Sequence, residues 1–333
     1  MRSMVLYPIY VPTASVGPHF TMQRAFEEEF YPCYTFDWIS KVGLRKKGDR
    51  RIRQAKATLH EVQLEFLEFV KAYRPEYAFM QLQNPDNMSV EMVREISKYT
   101  KVLNWTGDIR QTKAWYDWFI AIGKEIHLTL FTNTTDVEIM QKAGVRADYL
   151  QIGVDTAYYH PQDRVKAGPE IVFSAHNYGT FELSEYRGKC AVALREEFGD
   201  RFKLYGGGWS SLGFKTETTN CQQEADAYRA AKIGISISNF NFKRYHSDRL
   251  LRIMACGCMA MSHYYQELEK DYTPGHDLVS FKNEKDLIDK CKKYLLDHVA
   301  RTTIAVNGLR KIETSCTWPK RMEQLTQLLD RHE

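Results

Sequence analysis

The feature that most limits how this chain can fold is a strand–helix alternation that runs through its first half and then starts again. Residues 4–11 form an apolar strand candidate, closed by the turn-rich run Pro12-Thr13-Ala14-Ser15-Val16-Gly17-Pro18. Helical spacing follows over 20–30, a second strand over 33–39, and a long amphipathic helix over 51–73. Leu59, Val62, Leu64, Phe66, Leu67, Phe69 and Val70 supply the apolar side of that helix. A strand is then predicted over 77–82, a helix over 89–99 with Ser89 as N-cap, and a strand over 101–105. A strand over 127–131, a helix over 136–143 and a strand over 149–152 close the half. The second half repeats the pattern, with strands over 170–174, 202–205, 233–237 and 259–262. Its helices fall over 185–198, 224–231, 247–255 and 284–298.

Strands joined by crossover-length helical connections pair in parallel and take helices on both faces. Two such series predict an α/β chain of two Rossmann-like domains facing across a cleft. Residues 1–160 would form the first, 161–300 the second, and 155–166, near Pro161 and Pro169, have linker character. The segment 301–333 has helical character, with Trp318 before Pro319, and could cross back to the first domain. Folds of this kind bind ligands beyond the carboxyl ends of their strands.

Composition narrows the class. At 44% hydrophobic and 26% charged residues, the chain has enough apolar material for ordered cores. No stretch approaches the roughly 18 apolar residues that span a bilayer. The amino-terminal apolar run is short and holds two prolines, unlike a signal peptide. A cytoplasmic protein is expected. The seven cysteines are scattered without Cys-x-x-Cys or Cys/His spacing, and Cys256-Gly257-Cys258 alone makes no metal site. Free thiols and no metal centre are expected.

The formal charge of +4 is unevenly placed. Eight basic residues lie between Lys41 and Lys56, against the single acid Asp49. They read either as a solvated helix start or loop, or as a landing surface for a polyanion such as nucleic acid.

The densest chemistry is Phe240-Asn241-Phe242-Lys243-Arg244-Tyr245-His246-Ser247-Asp248-Arg249, which leads directly into a helix. Ser247 or Asp248 is a natural N-cap. The unpaired N–H groups and positive dipole end of such a helix suit a diphosphate, and Lys243, Arg244 and Arg249 could add charge-assisted hydrogen bonds. Upstream, Tyr205-Gly206-Gly207-Gly208-Trp209 follows a strand. Its glycines let backbone approach a ligand, and Trp209 could pack against a base or close the loop. The strand end Ser174-Ala175-His176-Asn177-Tyr178-Gly179 would line the same site.

Residues 170–298 resemble the carboxyl-terminal half of a group 1 glycosyltransferase of the GT-B fold, especially the branch similar to spore-maturation CgeB proteins. The matching stretches are Ile171-Val172-Phe173 with Asn177-Tyr178, and Leu204 to Trp209. Ser247-Asp248-Arg249 before Ile253-Met254-Ala255-Cys256-Gly257, and Gly275 to Phe281, complete them. The first half matches more loosely, through Asn104-Trp105-Thr106-Gly107-Asp108 and Gly153-Val154-Asp155 ahead of His160-Pro161. The resemblance implies a nucleoside-diphosphate sugar, UDP-sugar foremost, held by the second domain, with the acceptor entering from the first. It also implies that no metal or other cofactor is required. Its donor-binding residues here would be Asn177, Tyr178, Gly207, Gly208, Trp209, Lys243, Arg244, Tyr245, Ser247, Asp248, Arg249 and Arg252. Arg252 is a departure, standing where many relatives hold the donor ribose with glutamate. Arginine has no acceptor for ribose hydroxyls, so Asp248 or another carboxylate takes that role, or Arg252 binds phosphate or a charged donor group.

An inverting transfer needs a general base on the acceptor hydroxyl. Asp108, after the apolar strand 102–105, is the first candidate, and His19 the second. Gly17, Lys46, Lys47, Arg50 and Arg51 are the acceptor-binding candidates. Their charge favours an anionic acceptor, one concrete version being a hydroxymethylated base in DNA flipped out of its duplex. The alternatives are a polysaccharide or lipid-linked glycan acceptor, a sugar-nucleotide epimerase, and a non-catalytic sugar-nucleotide or nucleic-acid binding protein.

Overall fold

The computed structural model describes the chain except residues 1, 8–18, 38–40, 42–44, 48–49, 53–55, 84, 86, 108–111 and 164–166. It divides into two compact units, Met1–Gln151 with Met322–Glu333, and Ile152–Arg321.

The first unit is built on strands β1 (Met4–Tyr7), β2 (Cys33–Thr35), β5 (Tyr77–Met80), β6 (Lys101–Thr106), β7 (Leu128–Phe131) and β8 (Ala147–Tyr149). They form one parallel sheet in the order β2-β1-β5-β6-β7-β8. Fully buried runs such as Met4–Tyr7 and Leu128–Phe131 are what a sheet covered on both faces requires. The connections carry helices α1 (His19–Glu29), α2 (Lys56–Tyr73), α3 (Val90–Ile96), α4 (Lys113–Gly123) and α5 (Thr134–Lys142). Ser89 caps α3 as expected, its hydroxyl accepting from Met92 N at 3.1 Å.

Two regions of this unit depart from the sequence reading. Helix α4 was missed, although Trp115, Trp118, Phe119 and Ile122 recur at i, i+3, i+4 and i+7 and Thr112 caps its start. Conversely, the long helix begins at Lys56. Arg50–Ile52 is strand β4, paired antiparallel with β3 (Arg45–Lys47), with Lys47 opposite Arg50 and Lys46 opposite Arg51. The Gly48-Asp49 dipeptide between them is a hairpin signal that the charge run obscured.

The second unit repeats the architecture. Strands β9 (Ile171–Ser174), β10 (Phe202–Tyr205), β11 (Ile233–Ser236), β12 (Met259–His263) and β13 (Val279–Phe281) form a parallel sheet in the order β10-β9-β11-β12-β13. Helices α6 (Ser184–Phe198), α7 (Cys221–Ala230), α8 (Asp248–Ala255), α9 (Glu284–Leu296) and α10 (His298–Ser315) connect and cover them. The α/β reading with two Rossmann-like units therefore holds. Helix α8 buries Leu250, Leu251, Ile253 and Met254. Gly234 on β11 makes that packing possible, since a Cβ there would lie 2.5 Å from the Ile253 side chain. The close fit holds the carboxyl-terminal half of α8 against the start of β11.

The last helix, α11 (Trp318–His332), opens in the second unit, and its residues from Met322 onward belong to the first. Within the first unit its end is tied down. Thr326 donates to Glu29 at 2.8 Å, Arg2 donates to Asp330 and Glu333 at 2.8 and 2.9 Å, and His332 pairs with Asp148 at 3.0 Å.

Candidate functional site

The polar groups of the second unit gather at the carboxyl ends of its strands. Two loops meet there first. Ala175 N donates to Tyr205 O and Asn177 N to Gly207 O, both at 2.9 Å. A Cβ on Gly206 or Gly208 would lie 2.1 Å from Ala175 O or 1.9 Å from Asn177 O, and both residues have positive φ, 106° and 82°. Gly206 and Gly208 therefore serve the contact between two chain segments, whereas at Gly207 a Cβ would meet only the His176 ring, at 3.4 Å. Trp209 is likewise corrected. It is fully buried, donates its indole N–H to Ala175 O at 2.6 Å and sets its ring edge to Phe173, so no face is left for a base. Asn177 is half-buried, its amide oxygen accepting from Gly179 N at 3.4 Å, and Tyr178 is exposed beside His176.

The tripeptide Ile237-Ser238-Asn239 after β11 is the hub of the site. Ile237 O accepts from Arg249 Nη1 at 3.3 Å. The Ser238 hydroxyl accepts from Ser247 N at 3.2 Å, and Ser238 N donates to His263 Nδ1 at 3.4 Å. The Asn239 side-chain oxygen accepts from Arg187 Nη1. Ser247 occupies the N-cap position of α8, but its hydroxyl accepts from Arg249 at 3.0 Å rather than from the helix.

Arg187, on α6, was not singled out from the sequence. It is fully buried, lies 5.8 Å from the ring centroids of both Phe173 and Trp209, and has no partner at Nε or Nη2. Burial, with Arg249's charge second, lowers its pKa to about 9. No carboxylate pairs with Arg187 or Arg249 among the described residues. Burial and the charges of the same two arginines also lower the pKa of His176. His263, 4% exposed, is held down to about 4, chiefly by burial. A signal for Arg187 did exist. It shares the buried face of α6 with Cys190, Ala191, Leu194 and Phe198, so an arginine stands where the period calls for an apolar residue.

The remaining members of the 243–252 segment divide by their partners. Lys243 is half-buried. Arg244, at φ 55°, donates a two-pronged pair to Asp271 at 2.9 and 2.7 Å, so its charge serves the fold and not a phosphate. Tyr245 is buried against Phe240. His246 is buried between Ser247 O at 3.1 Å and the Tyr272 hydroxyl at 3.0 Å, its pKa lowered to about 4 by burial. Arg252 pairs with Asp248 and, at 2.9 Å, with Glu224, and stacks 5.2 Å from the Tyr159 ring. Glu224 also accepts from the hydroxyls of Tyr159 at 2.8 Å and Tyr228 at 3.3 Å. Two acids neutralise Arg252, which corrects its reading as a phosphate ligand. Asp248 keeps 37% of its side chain exposed.

In the first unit, Gly17 and Asp108 lie outside the described residues. His19 opens α1, and Lys46, Lys47, Arg50 and Arg51 stand on β3 and β4, all described by backbone alone. Among the described residues no group of three or more His, Cys, Asp or Glu side chains could hold a metal ion, and no helix is long and apolar enough to cross a membrane.

A glycosyl transferase-like family model matches residues 188–327. Among solved structures, HepE of Anabaena in complex with UDP and glucose superposes with a TM-score of 0.71 at 10% identity, covering 99% of this chain and 100% of that one. Sucrose-phosphate synthase of Thermosynechococcus elongatus gives 0.67 at 13%, covering 99% of each chain. A glycosyltransferase of Rickettsia africae gives 0.66 at 10%, covering 99% and 98%. No curated protein matches the sequence. These likenesses run the length of the chain, and the fold is that of the GT-B glycosyltransferases.

Proposed function

We propose that this chain is a glycosyltransferase that takes a sugar from a nucleoside-diphosphate sugar, UDP-sugar foremost, and passes it to a hydroxyl of an anionic acceptor. The observation that carries the donor half is the pair Arg187 and Arg249, with no carboxylate between them, at the carboxyl ends of a parallel sheet. A buried guanidinium is costly unless an anion compensates it. Where the fold supplies none, a ligand diphosphate is the group that fits. The two arginines and the start of α8 would then take up the charge that develops on the leaving diphosphate, the role often given to a divalent metal. HepE, of the same fold, binds UDP and UDP-glucose, and the glycosyl transferase-like match covers the Arg249 side of the site. The ribose falls to Asp248, which pairs with Arg252 as Glu224 does but keeps 37% of its side chain exposed where Glu224 keeps 9%.

The acceptor half rests on the β3–β4 ribbon. Its five cations, Arg45, Lys46, Lys47, Arg50 and Arg51, place like charges opposite one another at two of three pairs. Such pairs are unfavourable without a counter-anion, and a two-stranded ribbon fits the DNA major groove. A hydroxymethylated base in DNA is the acceptor this favours, with Asp108 as the base on its hydroxyl.

Titration of the protein with UDP, ADP and GDP tests the donor. UDP should bind most tightly, and Arg249→Ala should weaken it by roughly tenfold or more, as expected for charge-assisted bonds. Equal, weak binding of all three would sink the donor reading. Labelled-sugar transfer to hydroxymethylated and unmodified duplexes tests the acceptor. Failure on both, with transfer to a glycan, would eliminate DNA.

A further inference from the structure

His263 has no part in the function proposed so far, yet it stands among the same groups. It ends β12, is 4% exposed, and its Nδ1 accepts from Ser238 N at 3.4 Å. A backbone N–H can only donate, so that contact assigns the proton of the neutral ring to Nε2, while a hydrogen bond to the Ser236 backbone acts on the same ring and opposes the lowering of its pKa. That Nε2–H is buried and has no partner. Burial keeps the ring neutral, and the charges of Arg187 and Arg249 add to the effect.

Its neighbours share its character. Arg187 Nε and Nη2 are buried donors without partners, and the Ser236 hydroxyl, at the end of the adjacent strand, has none either. The tripeptide 237–239 holds Arg249, His263 and Arg187 in turn, through Ile237 O, Ser238 N and Asn239 Oδ1. Three residues from three different elements are thus fixed to one short segment, and each contributes N–H donors. A water molecule suits such a cluster poorly, because it brings two protons and, of these unpartnered groups, the Ser236 hydroxyl alone can accept one. A phosphate oxygen brings lone pairs alone.

We propose that His263 donates its Nε2–H to an oxygen at the diphosphate end of the bound donor, as a neutral third donor beside Arg187 and Arg249. The assignment rests on the donor reading above. A neutral donor adds direction without further charge. Three cations on a dianion would hold the released nucleoside diphosphate more tightly than the transfer needs, whereas a histidine locked in one tautomer orients it.

The test is UDP titration of the wild type and of His263→Gln, His263→Asn and His263→Phe, with unliganded melting temperatures alongside. Gln carries an N–H donor near the Nε2 position, Asn carries one nearer Nδ1, and Phe carries none. UDP affinity should fall by roughly tenfold in the Asn and Phe variants and stay within about threefold of wild type in Gln. Wild-type affinity in Phe, or a Gln variant as weak as Phe, would overturn the assignment in favour of packing. The ring nitrogens of ¹⁵N-histidine-labelled wild type give a measurement that needs no variant to bind. The His263 Nε2–H resonance, assigned by its absence from the Gln variant, should move when UDP is added. UDP binding that leaves it in place refutes the role of His263 alone. Absence of UDP binding by the wild type overturns the donor reading and this assignment together.

Discussion

Arg187→Met should stabilise the unliganded protein while destroying its affinity for UDP. The side chain is fully buried, and its pKa falls from the ordinary guanidinium value to about 9, burial foremost. At about 1.4 kcal/mol per pH unit, that fall costs the folded state on the order of 5 kcal/mol, taken as an upper figure. The cation's contacts with Phe173 and Trp209 recover about 1 kcal/mol, and its hydrogen bond to Asn239 about 1 kcal/mol more, both lost in the variant. Met matches the length of the stem and adds no polar atom. The expected net gain is at most about 3 kcal/mol, within the range seen when buried ions are replaced by apolar side chains. For a unit of this size that corresponds to a melting temperature higher by up to roughly 6–12 °C. The pH dependence gives a second reading. Because Arg187's folded pKa lies below its unfolded value, the unfolded state binds more protons above about pH 9, so the wild type gains stability as pH rises past that point. The gap between variant and wild type should therefore narrow from pH 8 to pH 10. Differential scanning calorimetry with and without UDP measures all of this. A variant that melts lower than wild type and still binds UDP normally would show Arg187 to be a structural cation, and the argument for an anion site would fail.

Three further outcomes follow from the same geometry. Glu224→Gln removes one of the two acids that neutralise Arg252 and weakens the bond from Tyr159, so it should cost about 3 kcal/mol by urea denaturation; a loss under about 0.5 kcal/mol would refute the network. Gly208→Ala drives a Cβ to 1.9 Å from Asn177 O and should cost more than about 3 kcal/mol or prevent folding, whereas Gly275→Ala, at the same φ of 82° but with nothing within 4 Å, should cost about 1 kcal/mol. Equal penalties would mean that φ alone matters at these turns. His246, lowered to about 4, contributes stability that is present above its unfolded value of 6.5 and lost as pH falls toward 4, so the melting temperature of His246→Gln should fall less steeply over that window than the wild type's.

How much of this was legible in the sequence depends on what kind of pattern carried it. Buried parallel strands announce themselves as apolar runs, and 202–205 was placed to the residue. Caps and glycine stops located α3 and α8. The helix α4 was lost among its own aromatic residues, and the β3–β4 ribbon was hidden because charge patterning drew attention away from Gly48-Asp49. Both signals were periodic or local and could have been read. The partners of Arg244 and Arg252 could not. Asp271 and Glu224 lie 27 and 28 positions away, and nothing in a linear sequence says that two opposite charges meet.

The proposed donor site shows the same division more sharply. Sequence reasoning chose cations by their density, and the structure sorts them by what already neutralises them. Of the arginines in the 243–252 segment, Arg244 and Arg252 are spent on carboxylates, and Arg249 is held by a carbonyl and a hydroxyl, with no carboxylate in an ion pair to it. The second guanidinium of this kind, Arg187, comes from a different helix, more than sixty positions earlier in the chain. Folding brings these two together through Ile237 and Asn239 without supplying an acid between them. A fold under selection for stability alone would replace such a pair with apolar side chains or give it a carboxylate. Arg187 in the core and Arg249 half-buried beside it fit the diphosphate proposed above, and the gain expected for Arg187→Met measures how much stability the site forgoes to receive it.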